Sequence, residues 1–253
     1  MGRALSALEE VSPVASVCVD STYFSINSSG ELTIKPGTTG LRDVLIFQTP
    51  GTFQFTKATY PWLAHVHVMV QAGGGGSAGA QSDVGELSAQ VGGAGGGYSE
   101  GHYNVSSLGA SETVVVGAAG AAGTPTVDGG AGGNSSFGGL VTANGGFGGT
   151  TGMTTGATPA CFSGIAAPLA GLGQITMGGG AGGGALRING SQGLAGVGGD
   201  SIMGIGGFQR ASTGGGGATR GYGSGAGGAL ARNGTTEQGT AGAHGIVVIE
   251  LYA

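Results

Sequence analysis

The chain has 253 residues, of which 63 are glycine, 7 are proline and 8% are charged, with a formal net charge of −5. Collagen is excluded because it requires glycine at every third position without interruption and proline-rich neighbours. A disordered linker is disfavoured because such chains stay soluble through charge and contain few apolar residues. Nucleic-acid binding is not expected without a cluster of lysine or arginine.

Residues 1–50 predict a short β-structured segment ahead of the glycine-rich part. The stretches SVCVD, YFSIN, ELTIK and RDVLIFQ read as strands, and Ser28, Ser29 and Gly30 form a hairpin turn between the second and the third. This segment is too short to enclose a core alone, so we expect it to dock or to oligomerise. We expect neither a secretory signal nor membrane insertion, and Cys18 and Cys161 should be reduced thiols.

The stretch HVHVMVQA predicts a strand with two different faces. Its three valines share one face, which we expect to be core, and His65, His67 and Met69 share the other. Two imidazoles on one strand face can bind a transition metal. The alternative, an exposed polar face, is the interpretation we favour. No metal site is therefore predicted, and His65 and His67 are the one candidate pair.

Glycine becomes dense after Ala72 and often recurs at intervals of three. Three residues is the period of the polyproline II helix, which makes no internal hydrogen bonds. Several such helices packed side by side can satisfy one another's amides where side chains are absent. The strands ETVVVG and GIVVIELYA would anchor the bundle. The predicted fold is mostly irregular and all-β, with a short N-terminal β segment and then a polyglycine II sandwich framed by a few strands.

Two motifs in the first glycine run imitate chemical sites. Gly74, Gly76 and Gly79 match the spacing of a dinucleotide-binding turn, and Ser77 lies in GGSAG, which imitates a nucleophile elbow. Both motifs require a following helix, which this sequence does not predict, and dense glycine produces such matches by chance. We therefore expect no enzyme and no cofactor, and we assign no catalytic or cofactor-binding residue.

The glycine-rich part has a specific order of segments. YPWLAHVHVMVQA is followed by GGGG, GNSSFGGLVTANGG lies in the middle, and GIVVIELY ends the chain. This order resembles the glycine-rich domain of bacteriophage tail-fibre and minor tail proteins, over roughly residues 50 to 253. The resemblance implies a polyglycine II sandwich similar to that of distal phage adhesins, whose loops touch the host surface. The predicted domains are residues 1–50, an attachment and oligomerisation segment outside the resemblance, and residues 51–253, the sandwich.

The stretches with the least glycine are predicted to be loops, at residues 82–91, 150–177 and 200–213. Apolar and aromatic residues exposed on loops of a rigid scaffold are typical of recognition surfaces. The equally weighted alternative is that they cap the bundle or pack against a neighbouring chain. The receptor-binding candidates are Met153, Phe162, Ile165, Leu169, Ile202, Met203, Phe208, Arg210 and Tyr222.

The resemblance implies a virion protein, assembled in the host cytoplasm, that serves as a tail-tip or tail-fibre adhesin. Its expected partners are other tail proteins, bound through the N-terminal segment, and a glycan or protein of the host surface. A homotrimer is expected, because phage fibres commonly trimerise and trimers multiply weak contacts. The alternative is a purely structural fibre or capsid decoration protein without a receptor.

Overall fold

The computed structural model describes residues 24–26, 29–35 and 40–253 of the chain. This part contains no α-helix, and its 3-10 helices are Lys57–Thr59 and Val105–Ser107. The strands, in chain order, are β1 (Phe24–Ile26), β2 (Leu32–Ile34), β3 (Leu41–Phe47), β4 (Gly51–Thr56), β5 (His65–Gln71), β6 (Ala80–Gln81), β7 (Leu87–Ala89), β8 (Tyr98–Asn104), β9 (Ser111–Val116), β10 (Ser135–Phe137), β11 (Val141–Ala143), β12 (Ala160–Phe162), β13 (Ile175–Met177), β14 (Ala185–Arg187), β15 (Gly193–Leu194), β16 (Gly204–Ile205), β17 (Arg220–Gly221), β18 (Leu230–Arg232), β19 (Thr236–Glu237) and β20 (Ile246–Tyr252).

The all-β class predicted from the sequence is confirmed, with more strand inside the glycine-rich part than expected. The sequence predicted the strands ETVVVG and GIVVIELYA after Ala72, but the seven residues of β8 are also a strand, because they pair along their length with β5. The predicted hairpin is present: β1 and β2 are antiparallel, and Gly30 in the turn has a φ of 82°. The predicted strand SVCVD lies outside the described residues.

The anchor of the bundle is a five-stranded sheet in the order β13-β8-β5-β20-β3. Strand β5 leads into the glycine segments and β20 leads out of them, and the two strands pair along their full length. A second sheet, β11-β10-β9-β4, contributes to the same core. The valines of β5 are fully buried there with Val114 and Phe137, as the alternation of HVHVMVQA predicted.

Strand β3 belongs to this sheet although it lies within the predicted attachment segment, residues 1–50. It pairs with β20 from Phe47 opposite Val247 to Leu41 opposite Tyr252. Leu45 and Phe47 also pack against the buried core. The glycine-rich domain therefore includes residues from Leu41 onward, and only the chain before it is left for a separate segment.

Between the anchoring strands, glycine-rich segments pack side by side through backbone hydrogen bonds. The segment 72–80 is buried along its whole length and exchanges bonds with neighbours on every side. Its N–H groups donate to the segments 90–97, 117–124, 128–134 and 238–245, and its carbonyls accept from the segments 117–124, 144–151 and 223–229. Gly73 and Gly76, three residues apart, both donate to the segment 128–134, which gives the period of three a direct structural meaning.

Glycine is required in these segments because the backbones touch. A Cβ on Gly75 would overlap the carbonyl oxygen of Phe147, and one on Gly196 would overlap the carbonyl oxygen of Gly183. Where two backbones touch in this way a side chain has no room, and the amides find their partners on neighbouring backbones.

The segments run back and forth between two ends of the bundle. The sheet end is where β5 and β20 lie. The opposite end, which we call the distal end, is formed by the loops 81–86, 124–127, 151–159, 188–192 and 232–235, which contact one another. The fold thus separates the anchoring sheet from a set of converging loops.

Candidate functional site

The distal end carries a concave pocket of about 560 Å³. Its lining residues come from four loops and are Gly85, Ala157, Asn189, Gly190, Ser191, Arg232 and Asn233. A second pocket of about 370 Å³ lies beside it, and its wall contains several serine and threonine residues together with Asp83. Concave sites with a few converging polar groups are where small ligands bind.

One wall of the first pocket is an Asn-Gly turn. Asn233 and Gly234 have φ angles of 53° and 80°, and this pair of positive angles is what the sequence Asn-Gly favours in tight hairpin turns. The N–H groups of Asn233 and Gly234 donate to the carbonyls of Glu86 and Asp83 at 2.8 and 3.0 Å. The Gly85 N–H donates to Asn233 Oδ1 at 3.2 Å, so the two loops are joined by backbone and side chain.

A second Asn-Gly dipeptide forms the facing wall. Asn189 Oδ1 accepts hydrogen bonds from Ser191 N at 2.9 Å, from Ser191 Oγ at 3.0 Å and from Gln192 N at 2.8 Å. The carbonyl of Ser191 in turn accepts from Arg232 Nη1 at 3.3 Å. The side chain of Asn189 thus closes its own turn, and Arg232 links that turn to the opposite wall.

Arg187 holds the third wall in place from inside the protein. Its side chain is 6% exposed and has no carboxylate partner among the described residues. Arg187 Nε donates to the Thr158 carbonyl at 2.7 Å, and Nη1 donates to the carbonyls of Leu87 and Thr154 at 2.9 and 2.6 Å. The carbonyl oxygens solvate the charge of the guanidinium, and these hydrogen bonds hold the loop that carries Ala157 in place.

Replacing Arg187 with methionine should destabilise the protein by about 2 kcal/mol, because three carbonyls lose a charged hydrogen-bond donor. Methionine still fills the space that the apolar part of the arginine side chain occupies. Urea denaturation of the purified protein measures the change. Arg220→Met is the matched control, because Arg220 is exposed and its guanidinium has no hydrogen-bond partner among the described residues. Equal denaturation midpoints for the two variants would show that Arg187 does not hold the loop.

The receptor-binding candidates from the sequence do not form one surface. Met153 is a correction: it is 2% exposed and packs in a second core cluster with Leu87 and Leu230. Ile165 is half-buried against the same cluster. Phe162, Leu169, Ile202 and Phe208 are exposed.

The prediction of a loop at residues 82–91 is correct only for its first half. Residues 82–86 belong to the distal end, but Leu87 to Val91 are buried, and β7 pairs with β18. Leu87, Ala89 and Val91 are buried members of the second core cluster. Low glycine content there marks a position with room for side chains inside the protein.

Two further candidate groups lie away from the distal pocket. Phe208 lines a side pocket of about 300 Å³ with Val197, Ile205 and Arg220. The Arg210 guanidinium lies 4.9 Å from the centroid of the Phe208 ring, and its Nε donates to the carbonyl of Gly215. We call the residues Val197, Ile205, Phe208, Ala218 and Arg220 the side patch.

Ile202, Met203 and Tyr222 lie at the sheet end. Tyr222 donates its backbone N–H to the Met203 carbonyl, and its hydroxyl donates to Gln48 at 3.1 Å. Its ring also meets His244 edge-on at 5.3 Å. These contacts tie Tyr222 to the anchoring part of the protein.

The two histidines of β5 bind side chains of the sheet. His65 stacks on Tyr252 with ring centroids 4.6 Å apart, and His67 stacks on His102 at 4.0 Å. His67 Nδ1 lies 3.0 Å from Glu250, and this hydrogen bond, with a second from Tyr252, lowers the pKa of the Glu250 carboxyl. Among the described residues, no group of three or more His, Cys, Asp or Glu side chains is arranged to hold a metal ion.

Sequence reasoning missed the distal pocket, although a signal was present. Two Asn-Gly dipeptides, in INGSQ and RNGTT, interrupt the glycine-rich part with tight-turn chemistry. They mark the turns that form opposite walls of the pocket.

No described helix is long and apolar enough to cross a membrane.

The comparisons with known proteins identify the domain. Comparison with curated protein sequences gives no significant match. The family model described as glycine-rich domain matches residues 48–252, which include the anchoring strands β5 and β20 and the segments between them. The chain therefore belongs to the glycine-rich domain family.

Proposed function

We propose that the protein is a bacteriophage tail-tip or tail-fibre adhesin whose distal end binds the host cell envelope. The observation that carries this proposal is the pocket formed by converging loops at the end of the bundle opposite the anchoring sheet. The resemblance of the segment order to phage tail proteins supports it. In this proposal the chain before Leu41 attaches the protein to the virion, and trimerisation multiplies weak contacts with the host.

The physical basis of the proposal is preorganisation. The loops are mounted on segments whose amides are bonded to neighbouring backbones, and the Asn189 turn, the Asn233 turn and Arg187 fix the walls of the pocket. A ligand that binds such a site does not have to order it, so less of its contact energy is lost to conformational entropy.

The second candidate function is a structural fibre or decoration protein without a receptor. The side patch favours it, because Val197, Ile205 and Phe208 are exposed apolar residues beside one another on the flank of the bundle. Exposed apolar patches commonly mark contacts between proteins. A neighbouring virion protein would cover this patch.

A matched pair of substitutions separates the two functions. Ala157→Trp fills the distal pocket, and Ala218→Trp fills the side pocket; both alanines are exposed, so both variants should fold. Phage particles that carry each variant are mixed with host cells, and adsorption is measured beside the amount of the protein in the particles. For an adhesin, we expect Ala157→Trp to reduce adsorption about tenfold or more, the loss of about 1.4 kcal/mol of binding, at unchanged incorporation.

Normal adsorption by particles that carry Ala157→Trp would contradict the adhesin proposal. If Ala218→Trp alone has an effect, and that effect is loss of the protein from the particles, the structural function is the correct one.

A further inference from the structure

The distal pocket is lined by an arginine in a protein that is acidic overall. The formal net charge of the chain is −5, yet Arg232 is the one charged residue that lines this pocket. Two acidic residues of the distal loop 81–86 are near but do not line it: Asp83 lines the neighbouring pocket, and the Glu86 carboxylate accepts a hydrogen bond from Thr155 Oγ1 at 2.8 Å. Arg232 offers an anion the opposite charge at this pocket, whereas the net negative charge of the chain repels anions.

Most N–H groups of the Arg232 guanidinium have no hydrogen-bond acceptor among the described residues. Within the described part of the chain its one hydrogen bond runs from Nη1 to the Ser191 carbonyl, and it has no carboxylate partner. Arg187 differs because it donates to three carbonyls, and Arg210 differs because it lies over the Phe208 ring. Arg220 also has an unpaired guanidinium in the described part of the chain, but it lies in the side patch, among apolar residues. The planar fork of an arginine matches the two oxygens of a carboxylate or phosphate.

The rest of the pocket suits hydroxyl groups. Its walls present the amides of Asn189 and Asn233, the hydroxyl of Ser191 and glycine backbone, and the one apolar side chain among its lining residues is the methyl group of Ala157. Ser191 Oγ donates to Asn189 Oδ1, which leaves the hydroxyl oxygen able to accept a hydrogen bond from a ligand.

We propose that the distal pocket binds a saccharide unit that carries a carboxylate or phosphate group. Arg232 binds the anionic group, and Ser191 and Asn233 bind the sugar hydroxyls, while Asn189 holds Ser191 in position. This inference rests on the proposed adhesin function, which places the ligand on the host envelope. The anionic group there has two sources, a uronic acid or a sugar phosphate.

Calorimetric titration of the full chain tests the ligand class. The probes are trigalacturonate, mannose 6-phosphate and the neutral maltotriose. We expect at least one anionic probe to bind about tenfold or more tightly than maltotriose, and to bind more weakly at high salt, because exposed charges are screened. Whichever anionic probe binds more tightly identifies the source. Equal binding of maltotriose, or no binding of either anionic probe at millimolar concentration, overturns the proposal.

Three variants assign the anion to Arg232. Arg232→Gln should reduce the affinity for the anionic probe about tenfold or more. Arg232→Lys should reduce it less, since lysine keeps the charge but cannot form two parallel hydrogen bonds to the anion. Arg220→Gln, in the side patch, should bind as the unmodified protein does. Thermal midpoints of the variants verify the fold. A well-folded Arg232→Gln protein with unchanged affinity overturns the assignment.

The outcome separates this inference from the adhesin proposal. If Ala157→Trp abolishes adsorption but no anionic saccharide binds, the adhesin proposal stands and the ligand class is wrong. If anionic saccharides bind through Arg232 but particles with Ala157→Trp adsorb normally, the pocket binds its ligand for another purpose.

Discussion

Gly196→Ala should reduce the free energy of unfolding by about 3 kcal/mol or more, the range of an overpacked core position. The added Cβ would overlap the carbonyl oxygen of Gly183 and lie 2.5 Å from the Gly92 amide nitrogen. Neither atom can move alone, because Gly196 N–H donates to Gln90 and Gly92 N–H donates to Gly183. The whole junction of the neighbouring segments must therefore separate. Urea denaturation measures the loss.

Two other glycines set the scale of this prediction. A Cβ on Gly193 would meet the Leu186 carbonyl at 2.7 Å and the side chain of Leu87 at 2.9 Å, so part of the clash can be relieved by a side chain, and we expect a smaller loss. Gly139 is exposed and has no atom within 4 Å of the added Cβ, so Gly139→Ala should be neutral. Equal stabilities of the Gly196 and Gly139 variants would show that the segments are not in close contact.

The sequence predicted the elements that depend on local pattern. The alternation in HVHVMVQA predicted the buried face of β5, and the glycine period of three matches the way Gly73 and Gly76 bond to one neighbouring segment. These features repeat within a few residues. Their physical cause is contained in the stretch that shows them.

Features that depend on which segments are neighbours could not be predicted in the same way. Every glycine segment has much the same pattern, so nothing local indicates that Gly73 bonds to Gly133 or that Arg187 reaches Leu87. Met153 was a receptor-binding candidate because its stretch has little glycine, with capping of the bundle as the alternative; it is buried because it packs with Leu87 of β7 and Leu230 of β18. The distal pocket has the same origin, since its walls come from loops far apart in the chain.

The position at which the N-terminal segment ends gives the last prediction. A chain that lacks residues 1–39 keeps β3 and should fold with the stability of the full chain. A chain that lacks residues 1–50 loses the inner packing of Leu45 and Phe47, the latter with its ring 5.3 Å from that of Phe53. Both side chains are half-buried, and full burial of each would contribute about 1.5 to 3 kcal/mol, so we expect the longer deletion to be less stable by roughly 2 kcal/mol.

The longer deletion should also aggregate, because removing β3 leaves the backbone N–H and C=O groups of β20 unpaired on one edge of the sheet. Thermal denaturation and light scattering after gel filtration compare the two proteins. If the deletion of residues 1–50 is as stable and as monodisperse as the shorter one, β3 is dispensable and the domain begins near residue 51. If the shorter deletion still enters phage particles, residues 1–39 are not the attachment segment, and the side patch becomes the candidate contact with the virion.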